Sequence, residues 1–108
     1  MKLNYRFMRL LVFFDLPTES SENRRNYRKF RNNLITHGFF MLQESVYCRM
    51  LINAAAAQSM IGKIEKFKPP DGMICVLMIT EKQFSGMSFI IGEQKTDVIT
   101  TDKSLVIL

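Results

Sequence analysis

One histidine, two cysteines and no long apolar run limit what this 108-residue chain can be. Cys48 and Cys75 form no C-x-x-C pair. With a single histidine beside them they argue against a Cys/His zinc site, which takes four such ligands. Both thiols are expected to be buried and reduced, as in a cytosolic protein. No stretch approaches the ~20 apolar residues that span a bilayer. The early cations and the apolar run Leu10–Phe14 have the look of a secretory leader. The run is short, however, ends at Asp15 and Pro17, and lacks a small-residue cleavage site. The expected location is the cytoplasm, away from membranes. Internal repeats and low-complexity linkers are absent. The serines and cysteines have no matching His/Asp arrangement, and His37 is placed as a helix-end residue rather than a base.

Negative charge is missing from one place in particular. The stretch NRRNYRKFRNN, Asn23 to Asn33, holds Arg24, Arg25, Arg28, Lys29 and Arg31 and no carboxylate. The chain has 15 basic and 10 acidic residues. Without those five cations the balance is 10 against 10, so this segment carries the whole net charge of +5. A local excess implies a local anionic partner. The remaining composition, 47% hydrophobic and 23% charged, is that of one small globular domain.

Met8–Leu16 is rich in β formers and is stopped by Pro17, which predicts the first strand. Thr18, Ser20 and Ser21 offer N-caps for a helix that runs to about His37, with Gly38 as its C′ residue. Phe39–Met50 is read as a second strand, Ala54–Phe67 as a second helix, and Pro69-Pro70-Asp71-Gly72 as a turn. Met73–Thr80 and Met87–Gly92 are read as further strands, and Ser104–Leu108 as one more in the tail. These elements are placed in an α+β, ferredoxin-like βαββαβ sandwich with an extra C-terminal strand. Residues 1–94 form the domain and 95–108 the tail.

The strands do not alternate apolar with polar. Leu10, Val12 and Phe14 face one way and Leu11 and Phe13 the other; Ile74, Val76 and Met78 oppose Met73, Cys75, Leu77 and Ile79. Both sheet faces are apolar, and one helix layer covers only one. Two remedies are open: a second copy packed sheet to sheet as a homodimer, or the tail folded back over the open face.

On the first helix, Tyr27, Phe30 and Leu34 form the core stripe and the five cations cover most of the rest. A solvated face usually mixes signs, because like charges at i,i+4 are unfavourable. Arg24–Arg28 and Arg25–Lys29 are such like-charged pairs. Four of the five cations are arginine, whose fork suits phosphate oxygens. Nucleic acid is the leading ligand, held by its backbone and not by its bases.

Asp15 ends the first strand just before a proline turn. One role is a turn residue accepting backbone N–H bonds. The other is a ligand for magnesium, or manganese, in a phosphodiesterase, with two Asp15 carboxylates brought together by a symmetric dimer.

The segments MRLLVFFDLPTESSENRRNYRKFRNNL and GFFMLQESVYCRM resemble the small CRISPR-associated spacer-acquisition proteins of the Cas-two family, in the branch found with single-effector systems. The likeness rests on the strand ending in Asp15, the Arg-rich helix, and Q-x-S-V-Y at Gln43, Ser45, Val46 and Tyr47. It implies a ferredoxin-like homodimer that holds duplex prespacer DNA between dimers of the Cas-one integrase, with the C-terminal strand helping to meet that partner. It also implies Asp15 as the metal-binding, catalytic position in members credited with nuclease activity on RNA or duplex DNA. Many members carry tyrosine before the aspartate, where this chain has Phe14. Two function classes follow: a DNA-holding subunit of CRISPR adaptation, or a metal-dependent endonuclease. A generic ferredoxin-like module, such as an RNA-recognition domain, is a third; HGFFMLQ has only a superficial likeness to the required aromatic motif and lies on the wrong strand.

Overall fold

The computed structural model of the protein describes residues 6–93. Within them the chain runs β1 (Met8–Asp15), α1 (Ser21–Thr36), β2 (Phe40–Gln43), β3 (Val46–Leu51), α2 (Ala54–Lys66), β4 (Met73–Thr80) and α3 (Glu81–Ser85). The strands form one sheet in the order β2-β3-β1-β4. Every neighbouring pair is antiparallel. With α1 and α2 on one face this is the ferredoxin-like arrangement. Central β1 sets the register on both sides: Val12 pairs with Tyr47 of β3 and with Val76 of β4.

The βαββαβ order holds, but different segments fill it. Phe39–Met50 is not one strand. It folds into the hairpin β2–β3, turning at Glu44–Ser45, where Ser45 has φ of +66°. The apolar pattern runs through the turn, and Glu-Ser lacks the Asn-Gly or Asp-Gly signature of tight hairpins. Met73–Thr80 is therefore the fourth strand. Met87–Gly92 is not a strand and joins no ladder. The short helix α3 precedes it, fixed by a capping box: Gln83 N–H donates to Thr80 Oγ1 at 3.0 Å while Thr80 N–H donates to Gln83 Oε1 at 2.8 Å. The strand expected at Ser104–Leu108 lies outside the described residues.

The helix-side core gathers Leu10, Val12 and Phe14 of β1 with Phe30 and Leu34 of α1 and Ala57, Met60 and Ile64 of α2. Phe14 meets Phe30 edge-on at 5.2 Å between ring centroids. Each such fully buried side chain contributes about 1.5–3 kcal/mol.

The opposite face is half covered by the chain itself. Phe84 of α3 packs with Leu11, Leu42 and Cys48, and Met87 and Phe89 join them. Beneath α3 lies Arg9, which is only 9% exposed. Its Nε donates to Glu81 Oε2 at 2.5 Å and its guanidinium stacks over the Phe84 ring at 4.3 Å. A buried arginine needs both an ion pair and a hydrogen bond, and α3 supplies them. The other half stays open: Phe13 is 37% exposed, Leu77 49% and Met73 66%. Cys48 is buried as expected, whereas Cys75 is exposed, because it sits on this open half. No helix of the described residues is long and apolar enough to cross a membrane.

Candidate nucleic-acid interface and carboxylate site

α1 is held at both ends, and its cations are exposed to solvent. At the start, Ser20 is the N-cap: its Oγ accepts from Asn23 N–H at 3.0 Å while Asn23 Oδ1 accepts from Ser20 N–H at 3.3 Å. Of the candidate caps Thr18, Ser20 and Ser21, the helix uses Ser20, with asparagine in the third helical position completing the box. Arg24 reaches back, donating from Nη1 to the carbonyls of Thr18 at 3.1 Å and Glu19 at 3.2 Å. At the other end His37 is the C-cap and Gly38 follows with φ of +88°. Arg49 of β3 donates to His37 O at 2.7 Å, tying a last-turn carbonyl of α1 to the sheet. His37 turns its Nδ1 to Asn33 O at 2.7 Å and lays its ring on Phe67. It is a helix-end residue, as expected.

Between these anchors Arg24, Arg25, Arg28, Lys29 and Arg31 are all exposed. Among the described residues none of the five forms an ion pair with a carboxylate. Phe30 and Leu34 are buried and Tyr27 packs against the core, as the helical spacing requires. One flank of α1 borders a cleft of about 250 Å³ that the sequence reading missed, where Lys29 meets Lys66 and Lys68 from the end of α2. The only local signal for it was the lysine spacing in GKIEKFKPP.

Asp15 lies elsewhere. Successive strand residues point to opposite faces. Phe14 is 5% exposed in the helix-side core, so Asp15 joins Leu11 and Phe13 on the other face. There it is exposed at the edge of an open groove of about 220 Å³ lined by Phe13, Phe14, Ser45, Val46, Met73 and Cys75. Gly72 presses on its backbone. With φ of +105°, a Cβ there would lie 2.6 Å from Leu16 Cδ2 and 2.9 Å from Asp15 O. Because Phe14 points into the helix-side core, the hydroxyl that a tyrosine would add lies on the far side of the sheet from the Asp15 carboxylate.

Among the described residues no three His, Cys, Asp or Glu side chains come together as a metal cluster. Asp15 offers the hard oxygen that magnesium prefers, but one chain supplies one carboxylate. The five cations and the carboxylate therefore occupy opposite faces of one sheet.

Fold and surface together define a small ferredoxin-like domain with a basic, outward-facing helix. The family model described as CRISPR associated protein Cas2 matches residues 8–87. Relatives named "CRISPR-associated endoribonuclease Cas2" include one from Treponema denticola, 50% identical over 94% of this chain and 100% of its own length. One from Ligilactobacillus salivarius is 45% identical over the same shares. One from Streptococcus mutans serotype c is 43% identical over 94% of this chain and 93% of its own. A solved structure titled "Crystal structure of cas2" superposes with a TM-score of 0.57 at 18% identity, covering 87% of this chain and 97% of that one, which supports the fold. The chain belongs to the CRISPR-associated Cas2 family.

Proposed function

We propose that the protein is the DNA-holding subunit of CRISPR spacer acquisition. It acts as a homodimer that grips duplex prespacer DNA through α1 and scaffolds the Cas-one integrase, which performs the chemistry. The observation that carries this reading is the exposed row of cations on a helix anchored at both ends, with no carboxylate partner among the described residues. Such a surface binds a polyanion through its backbone without reading bases. The open half of the second sheet face, with Phe13, Met73 and Leu77 exposed, supports pairing with a second copy. α3 already covers the other half.

A second reading is favoured by a separate observation: an exposed Asp15 on that same open half, in a chain whose relatives are named endoribonucleases. In a dimer two Asp15 carboxylates would line one seam, and water and phosphate oxygens would complete the shell of a magnesium or manganese ion. A bound ion would polarise a phosphoryl oxygen or activate water. Asp15 would hold it, and the Gly72 turn would fix the strand end from which Asp15 projects.

Because the two surfaces lie on opposite faces, one experiment separates the readings. Duplex binding, cleavage of end-labelled RNA and duplex DNA with magnesium or manganese, and spacer acquisition in cells are measured for Asp15→Ala and for an Arg25→Gln/Arg28→Gln/Lys29→Gln variant. The scaffold reading expects binding and acquisition to fall in the α1 variant and to persist in Asp15→Ala. Normal acquisition in the α1 variant sinks it. Metal-dependent cleavage lost only in Asp15→Ala establishes the enzyme; cleavage equal in both assigns that activity to other residues or a contaminant.

A further inference from the structure

We propose that the cleft between α1 and the end of α2 is a phosphate-binding site that takes backbone phosphates of the same nucleic acid that lies on α1. This rests on the nucleic-acid reading above and extends it from one helix to two.

The cleft brings together Lys29 and Asn26 from α1 with Lys66 and Lys68 from the end of α2 and the residues beyond it. Three lysines and an asparagine are among the residues that line a space of about 250 Å³. Lys68 is paired with Glu65 at 3.2 Å, but both side chains are more than half exposed. A pair so exposed is weak and readily exchanged for a phosphate. The floor is Phe30 and Phe67, in ring contact at 5.6 Å. They give the amines a low-dielectric backing on one side, which strengthens attraction to an anion. Pro69 and Pro70 form a wall that cannot relax far, since each proline fixes its own φ.

Position fixes the ligand class. On α1 the cations fall in two rows at helical spacing: Arg24, Arg28 and Arg31 in one, Arg25 and Lys29 in the other. Lys29 belongs both to the second row and to the cleft. The positive surface therefore continues across α1 into the cleft. A strand of phosphates laid over it crosses the helix instead of following its axis. Lysine, a point charge on a flexible stem, suits phosphates whose orientation varies along such a path.

The test is fluorescence anisotropy of a labelled blunt duplex across a range of NaCl concentrations. It compares wild type, Lys66→Gln/Lys68→Gln, and Arg25→Gln/Arg28→Gln, all of which alter exposed side chains. Each phosphate contact adds about 0.9 to the salt slope, which at 0.1 M salt is about eightfold in affinity relative to 1 M. The lysine variant is expected to lose about one to two units of slope per chain in contact. A lysine variant with wild-type slope and affinity, beside a weakened α1 variant, overturns the cleft and leaves the α1 reading standing. If both variants match wild type, the nucleic-acid reading itself fails. A further arm adds inorganic phosphate at constant ionic strength. Duplex binding that persists supports a site for phosphates within a strand. Loss of only the lysine-dependent part would overturn that assignment and mark a site for free phosphate.

Discussion

Neutralising Arg25, Arg28 and Lys29 with glutamine tests both the purpose and the cost of the basic helix. All three side chains are exposed and lie off the Tyr27/Phe30/Leu34 core stripe. Glutamine keeps helix propensity close to that of arginine and lysine. Two like-charged i,i+4 pairs, Arg24–Arg28 and Arg25–Lys29, disappear. Each costs about 0.2–0.5 kcal/mol, so the free protein gains about 0.4–1 kcal/mol. For a domain of this size that raises the melting temperature by about 2–6 °C. Duplex binding moves the other way. Three lost phosphate contacts flatten the salt slope by about 2.7 per chain in contact, which at 0.1 M salt is roughly 500-fold in affinity. Differential scanning fluorimetry at low salt and anisotropy titrations across salt read the two effects on one preparation. A stabler protein that binds less is the signature of charges kept for a ligand. An unchanged salt slope would refute that reasoning, and so would a fall in stability, which would show that the cations brace the fold.

Four further outcomes follow from the packing. Phe84→Ala removes a ring that is 4% exposed and stacked on Arg9, and should cost about 3 kcal/mol in a urea titration, with α3 and the segment after it losing amide protection first. Glu81→Gln takes the carboxylate from a nearly buried guanidinium; Glu81 is itself partly exposed, so the loss should be about 1–2 kcal/mol, against no measurable change for the neighbouring exposed Lys82→Gln. Gly72→Ala combines a left-handed φ with a clash on Leu16 and Asp15, and should destabilise by about 1–3 kcal/mol and disturb the Asp15 strand end, read by thermal melts and by backbone amide shifts. Leu77→Glu places a charge on the open half of the sheet, and under the proposed homodimer should shift sedimentation towards monomer without lowering monomer stability; an unchanged sedimentation profile would remove this face from the proposed dimer contact.

What the sequence disclosed depended on whether the signal was local. β1 ends where Pro17 forces it to, and α1 begins at the Ser20 cap and closes at His37–Gly38, all readable from neighbouring residues. The Tyr27/Phe30/Leu34 stripe was legible for the same reason. The β2–β3 hairpin was hidden because apolar residues continue on both sides of Glu44–Ser45, so composition gave no break. α3 was hidden by its length, although Thr80 and Gln83 carry its capping signal. Met87–Gly92 reads as a strand by composition but pairs with neither outer strand, β2 or β4, among the described residues. Here Met87 and Phe89 lie instead against Leu11, Leu42, Cys48 and Phe84. The exposure of Cys75 depends on tertiary neighbours, and the lysine spacing in GKIEKFKPP does not by itself show that Lys29 of α1 joins Lys66 and Lys68.

The period of two in β1 carried one consequence for function. If Leu10, Val12 and Phe14 face the helices, Asp15 cannot, and the carboxylate and the basic helix must lie on opposite sides of the sheet. A nucleic acid resting on α1 therefore does not reach Asp15 of the same chain through the sheet. The proposed holding and cutting would use different surfaces, so loss of one need not disturb the other. The anchors on α1, from the Thr18 and Glu19 carbonyls at one end and from Arg49 at the other, fix the binding face without involving the Asp15 groove. On the proposed reading, this separation would let the chain serve as a scaffold whether or not its carboxylates ever hold a metal.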